Sequence, residues 1–140
     1  MARRSAVQAL YQWAMTGQDA ADIITSFIEN DALKGKHKEY FNSLIEIIPV
    51  YIEQIDELVD PFLDRDREKV DPLEQAILRL GAYELEFSPD IPARVVIDEA
   101  VDIAKAFCSD NGYRFVNGVL DKIAATTRPN EFATPDESSS

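Results

Sequence analysis

At 140 residues, with 46% hydrophobic and 29% charged side chains, the chain fits one globular domain built on a single core. No apolar run reaches the roughly eighteen residues that a membrane helix needs, and MARRSAVQAL lacks the apolar stretch of a secretory leader, so the expected location is the cytoplasm. A lone cysteine, Cys108, and a lone histidine, His37, exclude a disulfide framework and a structural zinc, while a net charge of −12 argues against a general polyanion binder.

Ala2 to Met15 contains neither Gly nor Pro and sets Val7, Leu10, Tyr11 and Ala14 on one stripe, with Gly17 beyond as a stop, which predicts a first helix. Asp19 or Asp22 can cap a second, whose Ile23, Ile24, Phe27 and Ile28 keep helical spacing up to a loop, NDALKGKHK, with His37 solvated in it. From Phe41 the period holds through Leu44, Ile45, Ile48, Ile52, Ile55 and Val59, and Pro49 inside the run predicts a kink. Asp60-Pro61 and Asp71-Pro72 both read as a capping carboxylate followed by a proline at the first helical position. The first opens the short segment PFLDRDRE. The second opens a helix with Leu73, Ile77, Leu80 and Phe87 on one side and Glu84 near the same stripe, where a hydrogen-bonded boundary carboxylate is expected. Ser88 to Pro92 breaks the chain, and Val96, Ala100, Ile103, Ala104 and Phe107 then restore the period, with Cys108 expected as a small, partly buried apolar residue.

The last segment is ambiguous at first sight. In FVNGVLDKI, residues 115–123, Asn117-Gly118 between apolar pairs is a strong hairpin signal. Val116, Val119, Leu120 and Ile123, however, fall on one face of a helix, and a hairpin here would have no sheet to join. A helix is predicted, opened by the turn SDNG at 109–112. Gly inside a helix costs about 0.5–1 kcal/mol relative to Ala, so Gly118 is expected to mark a tight helix crossing. The Asn117 amide either satisfies a backbone group inside the bundle or stays exposed for a ligand. About seven helices with short connections predict an all-α domain over residues 1–129, two small antiparallel bundles packed together, and residues 130–140 read as a disordered acidic tail.

The charge is unevenly placed. Arg3 and Arg4 open the chain with no acid before residue 19, and Arg114, Lys122 and Arg128 outnumber Asp121 over residues 111–130, so residues 19–110 carry most of the negative surplus. If the two ends meet, they form one small basic face on an acidic body; otherwise these side chains merely solvate their helices. Walker, dinucleotide, G-x-S-x-G and H-E-x-x-H motifs are absent, and the paired carboxylates are those of any acidic helix surface. What remains is a polar and aromatic set, Arg3, Arg4, Phe107, Asn111, Tyr113, Arg114, Phe115 and Asn117, suited to single-stranded RNA, whose bases stack on rings while guanidinium groups neutralise phosphates. Phe107 and Phe115 also fit apolar stripes, and on pattern alone core is the favoured reading of each.

Four stretches, AVQALYQW at 6–13, LRLGAYEL at 78–85, IPARVVIDEAVDIAKAF at 91–107 and RFVNGVLDKI at 114–123, resemble in order and spacing the bacterial transcription antitermination factor family NusB. The resemblance spans about residues 2–129. It implies an all-α, non-enzymatic protein without metal or cofactor that binds boxA RNA of nascent ribosomal RNA leaders together with the ribosomal protein NusE, alongside other Nus factors on RNA polymerase. It assigns RNA contact to Arg3, Arg4, Phe107, Asn111, Arg114 and Phe115, and NusE contact to Tyr11 and Glu74 on the first helix and the LEQAILRL helix. The family commonly opens with a longer arginine cluster than MARRS, which implies a weaker unaided grip on RNA, strengthened when a basic ribosomal protein docks on the acidic body. Two other readings are a helical domain of the kind fused to ribosomal RNA cytosine methyltransferases, and a helical adaptor or homodimer that never touches RNA.

Overall fold

The computed structural model describes residues 2–30 and 34–132, with the side chains of 28–30 and 132 left aside. Among these residues there are eight α-helices and no strand. They are α1 Ala2–Thr16, α2 Ala20–Asn30, α3 Gly35–Ile47, α4 Ile52–Val59, α5 Pro72–Phe87, α6 Ala93–Phe107, α7 Asp110–Thr127 and α8 Pro129–Phe132, with 3-10 turns at Asp60–Phe62 and Arg67–Lys69. The first three pack on one another as one small bundle, α4 to α7 form a second, and α1 lies along α5 to join them.

Each start has a local cause. Asp71 caps α5 by accepting from the Leu73 amide at 3.3 Å, with Pro72 in the position that needs no N–H. Ser109 caps α7 through its hydroxyl oxygen, which accepts from the Gly112 amide at 3.2 Å. α6 begins after Pro92 with no cap of its own; its first amide, Ala93, donates to the Glu131 carboxylate of α8 at 2.9 Å instead. Gly17 closes α1 at φ 71°, with its amide on the Trp13 carbonyl at 2.9 Å, a left-handed conformation that glycine adopts without steric cost. One core runs through both bundles, with Leu10, Phe41, Ile45, Ile77, Leu85, Ile97 and Leu120 fully buried. Each such side chain contributes about 1.5–3 kcal/mol.

Several expectations are corrected. Pro49 splits its helix instead of kinking it: α3 ends at Ile47 and a turn over 48–51 precedes α4. α3 begins earlier than predicted, at Gly35, so His37 is exposed on its first turn and not in a loop. Gly118 is not a close crossing, because a Cβ there would meet nothing within 4 Å. The tight approach lies at Gly81 of α5, where a Cβ would stand 2.8 Å from Leu120 Cδ2 of α7. Asn117 is exposed, which leaves its amide free of the bundle interior. The helical fold extends past residue 129 into α8, and residues 133–140 of the expected tail lie outside the described residues.

Candidate nucleic-acid interface

The start of the chain meets the corner between α6 and α7. Arg4 at the start of α1 holds its guanidinium carbon 5.9 Å from the Phe107 ring centre at the end of α6. Phe107 leads through Cys108 into the Ser109 cap of α7, so the opening residues of the chain and the α6–α7 corner share one surface. On α7, Asn111 and Arg114 are exposed, and Phe115 is half-buried against the core with the Arg65 guanidinium 4.8 Å over its ring. Tyr113 carries two cations, Lys105 at 5.2 Å and Arg114 at 5.7 Å. Each cation–ring contact contributes about 0.5–1 kcal/mol at such exposed sites and, more to the point, holds a positive group in place. Between α6 and α7 a groove of about 400 Å³ is lined by Asp98, Asp102, Lys105, Tyr113, Arg114 and Asn117.

The sequence reading had not found Arg65 or Lys105. Arg65 lies in an acidic stretch and is paired with Asp64, its Nε donating at 2.7 Å, so charge counting along the chain conceals it. This hydrogen bond holds the Asp64 carboxyl below its usual value. Lys105 is a single lysine on an amphipathic helix, and only the fold brings it over Tyr113.

Four other arginines serve the packing of the helices. Arg3 turns from the surface that Arg4 occupies, and its Nε donates to both oxygens of Glu84 at 3.0 and 3.1 Å. Glu84 is 1% exposed and also accepts from the Tyr40 hydroxyl, so it pins α1, α3 and α5 together. Burial opposes the Arg3 charge, but the hydrogen bond and charge of Glu84 outweigh it and hold the guanidinium above its ordinary value. Burial, and next the bond to Glu84, push the Tyr40 phenol up. Arg79 pairs with Asp56 at 2.9 Å, and Arg67 reaches the same carboxylate. Arg128, counted above with the basic ends, is buried and adds nothing to the face: its guanidinium donates to the carbonyls of Glu84, Leu85, Ser88 and Ile91 and to Glu131.

The two partner-contact candidates fall near the same region. Tyr11 is 37% exposed and lies seven residues after Arg4, on the same stripe of α1. Glu74 on α5 is half-buried beneath the start of α7, with its Oε2 only 2.7 Å from where a Cβ on Gly112 would stand. Only glycine fits there. Burial, then the charge of Asp71, raise the Glu74 carboxyl; burial, then Glu74, push the Cys108 thiol up to about 11. Among the described residues no group of His, Cys, Asp and Glu could hold a metal ion, and no helix is long and apolar enough to cross a membrane.

The comparisons concern the family and the fold. A family model described as the NusB family matches residues 1–125. The chain is 47% identical over 131 residues to the transcription antitermination protein NusB of Nitrosococcus oceani, covering 94% of this chain and 88% of that one. It is 46% identical over 123 residues to the protein of the same name from Actinobacillus succinogenes, covering 88% and 87%. Among solved structures, T. maritima NusB superposes with a TM-score of 0.83 at 32% identity, covering 95% of each chain. A crystal structure of the antitermination factors NusB and NusE in complex with dsRNA matches with a TM-score of 0.82 at 29% identity, covering 89% of this chain and 94% of that one.

Proposed function

The chain belongs to the NusB family, and from that premise we propose that it is a transcription antitermination factor which binds boxA RNA of nascent ribosomal RNA leaders together with NusE. In this reading it joins other Nus factors on RNA polymerase in the cytoplasm and contributes binding alone, with no catalytic step. The observation that supports it is the contact of Arg4 with Phe107, which sets the arginine that opens α1 against the α6–α7 corner of an acidic molecule. Arg4, Asn111 and Arg114 contact the strand, Phe107 and Phe115 offer rings for stacking, and Lys105 and Arg65 add positive charge on the two flanks of α7. Arg3 acts at one remove: its bond to Glu84 fixes the start of α1 and so the position of Arg4. Tyr11 and Glu74 supply NusE contacts next to the RNA, which places a basic partner on the acidic body where it strengthens RNA binding.

The test is an RNA titration with a boxA oligonucleotide and a scrambled one, each with and without NusE, across a range of salt. Single-stranded RNA held by about five phosphates gives a slope of log K against log salt near −3 to −4, taking roughly −0.7 per phosphate. Arg114→Ala weakens both RNAs alike, whereas Asn111→Ala and Phe115→Ala affect boxA more than the scrambled strand. Absence of any RNA titration, with or without NusE, would overturn the proposal and leave a helical adaptor in its place.

A further inference from the structure

Gly118 sits in the interior of α7, yet nothing inside the molecule accounts for it. Glycine there costs about 0.5–1 kcal/mol against alanine. Its backbone is not left-handed, since positive φ occurs only at Gly17 and Gly35 among the described glycines. A Cβ at Gly118 would meet no atom within 4 Å, in contrast to Gly81 and Gly112, which are held by close neighbours. Neither conformation nor packing explains a residue that weakens its own helix.

Its position on the helix does. At 100° per residue, Asn111, Phe115, Gly118 and Lys122 fall within about 60° of one another, opposite the buried Val116, Leu120 and Ile123. Phe115 lies under Arg65, and Lys122 is near enough to Asp64 for its charge to help hold that carboxyl down, so the 64–65 loop flanks this stretch of α7. The result is a gap in the side-chain cover of α7 between a half-buried ring one turn before it and an exposed cation one turn after it. Glycine is the residue that lets a ligand come up to the peptide backbone itself.

We infer that Gly118 is where the RNA strand lies directly against the α7 backbone, its ribose and phosphate crossing the gap from Phe115 towards Lys122. The exposed Arg114 and Lys122 favour a polyanion there over a basic or neutral peptide, Arg65 being paired with Asp64. This extends the RNA path by one helical turn beyond Phe115, and it rests on the RNA-binding reading above.

The experiment separates stability from binding. Gly118→Ala and Gly118→Gln are compared with wild type by thermal melting and by titration with boxA RNA in the presence of NusE. Both variants melt at or above the wild-type temperature, because the helix gains propensity and no clash arises. RNA affinity falls severalfold for Ala and about tenfold or more for Gln, the scale of one lost base stack, while the salt slope is unchanged because no charge has been removed. Lys122→Ala lowers that slope by about 0.7. Gly118 variants that melt higher and bind RNA as wild type would overturn the inference. Arg114→Ala serves as the control: if it weakens binding and the Gly118 variants do not, only the strand path is wrong, whereas loss of effect in all of them removes the RNA face itself.

Discussion

Replacing Arg128 should unfold the protein more readily without touching RNA binding. The helix α5 ends just before Pro89, which has no N–H, so the Leu85 carbonyl lacks the amide that would ordinarily lie four residues on. Arg128 supplies it: Nε donates to Leu85 O at 2.8 Å, and the terminal nitrogens donate to Ile91 O and Ser88 O at 2.9 Å each and to Glu84 O at 3.2 Å. Glu84 O and Ser88 O keep backbone partners in the Ser88 and Ile91 amides, so removal of the guanidinium bears hardest on Leu85 O and Ile91 O. Two carbonyls stripped of a charged donor, together with lost packing around a side chain that is 7% exposed, make Arg128→Ala cost about 3 kcal/mol. Arg128→Lys, which can reach one or two of these acceptors, should lose about 2 kcal/mol. Urea unfolding followed by the helical circular dichroism signal measures both, and the Ala variant should melt roughly 10 °C lower. A loss below about 1 kcal/mol would mean that water replaces the guanidinium and that the carbonyl count is the wrong basis. At a temperature where both proteins are folded, the RNA titration should be unchanged, in contrast to Arg114→Ala.

Three further outcomes follow from the same geometry. Glu84→Gln leaves the Arg3 charge and the Tyr40 hydroxyl without their carboxylate and should cost about 2 kcal/mol in urea unfolding, less than a fully buried pair because Arg3 still reaches solvent; additivity with Arg3→Met in a double-mutant cycle would contradict the pairing. Glu74 has its carboxyl raised by burial, so its ionisation opposes folding above that raised value and ceases to do so as pH falls through it. Glu74→Gln should therefore be more stable than wild type at neutral pH, with the difference vanishing in acid, and a gain that persists below the ordinary carboxylate range would point to packing instead. The Cys108 thiol, pushed up to about 11, is ionised in only about one molecule in ten thousand at neutral pH, so alkylation should be slow in the folded protein and fast in urea. Equal rates in the two conditions would show the thiol to be open.

Periodicity along the chain sufficed for most helices, because each buries an apolar face, although Glu84 is buried within that of α5 and Tyr11 and Ala14 of the α1 stripe are exposed. Caps were legible where a side chain next to the helix supplies them, as at Asp71 and Ser109. They were hidden where the donor or acceptor comes from far along the chain, as with Glu131 at the start of α6 and Arg128 at the end of α5. Pro49 was visible, but whether a proline bends or divides a helix depends on what packs around it, which no local pattern reports. Gly118 was noticed for the right cost and given the wrong cause, since a sequence cannot distinguish a glycine crowded by a neighbour from one left bare. Charge counting failed in both directions: it credited the buried Arg128 to the basic face and overlooked Arg65, whose neighbours are acidic.

The joining of Arg4 to Phe107 also sets an order of events during synthesis. The first helix leaves the ribosome long before the corner it must meet, and more than a hundred residues separate the two. Until the sixth helix is complete, a nascent chain presents its opening arginines without the ring that steadies one of them, and Arg114 and Phe115 emerge later still. A chain that stops short of the sixth helix thus lacks the ring against which Arg4 rests.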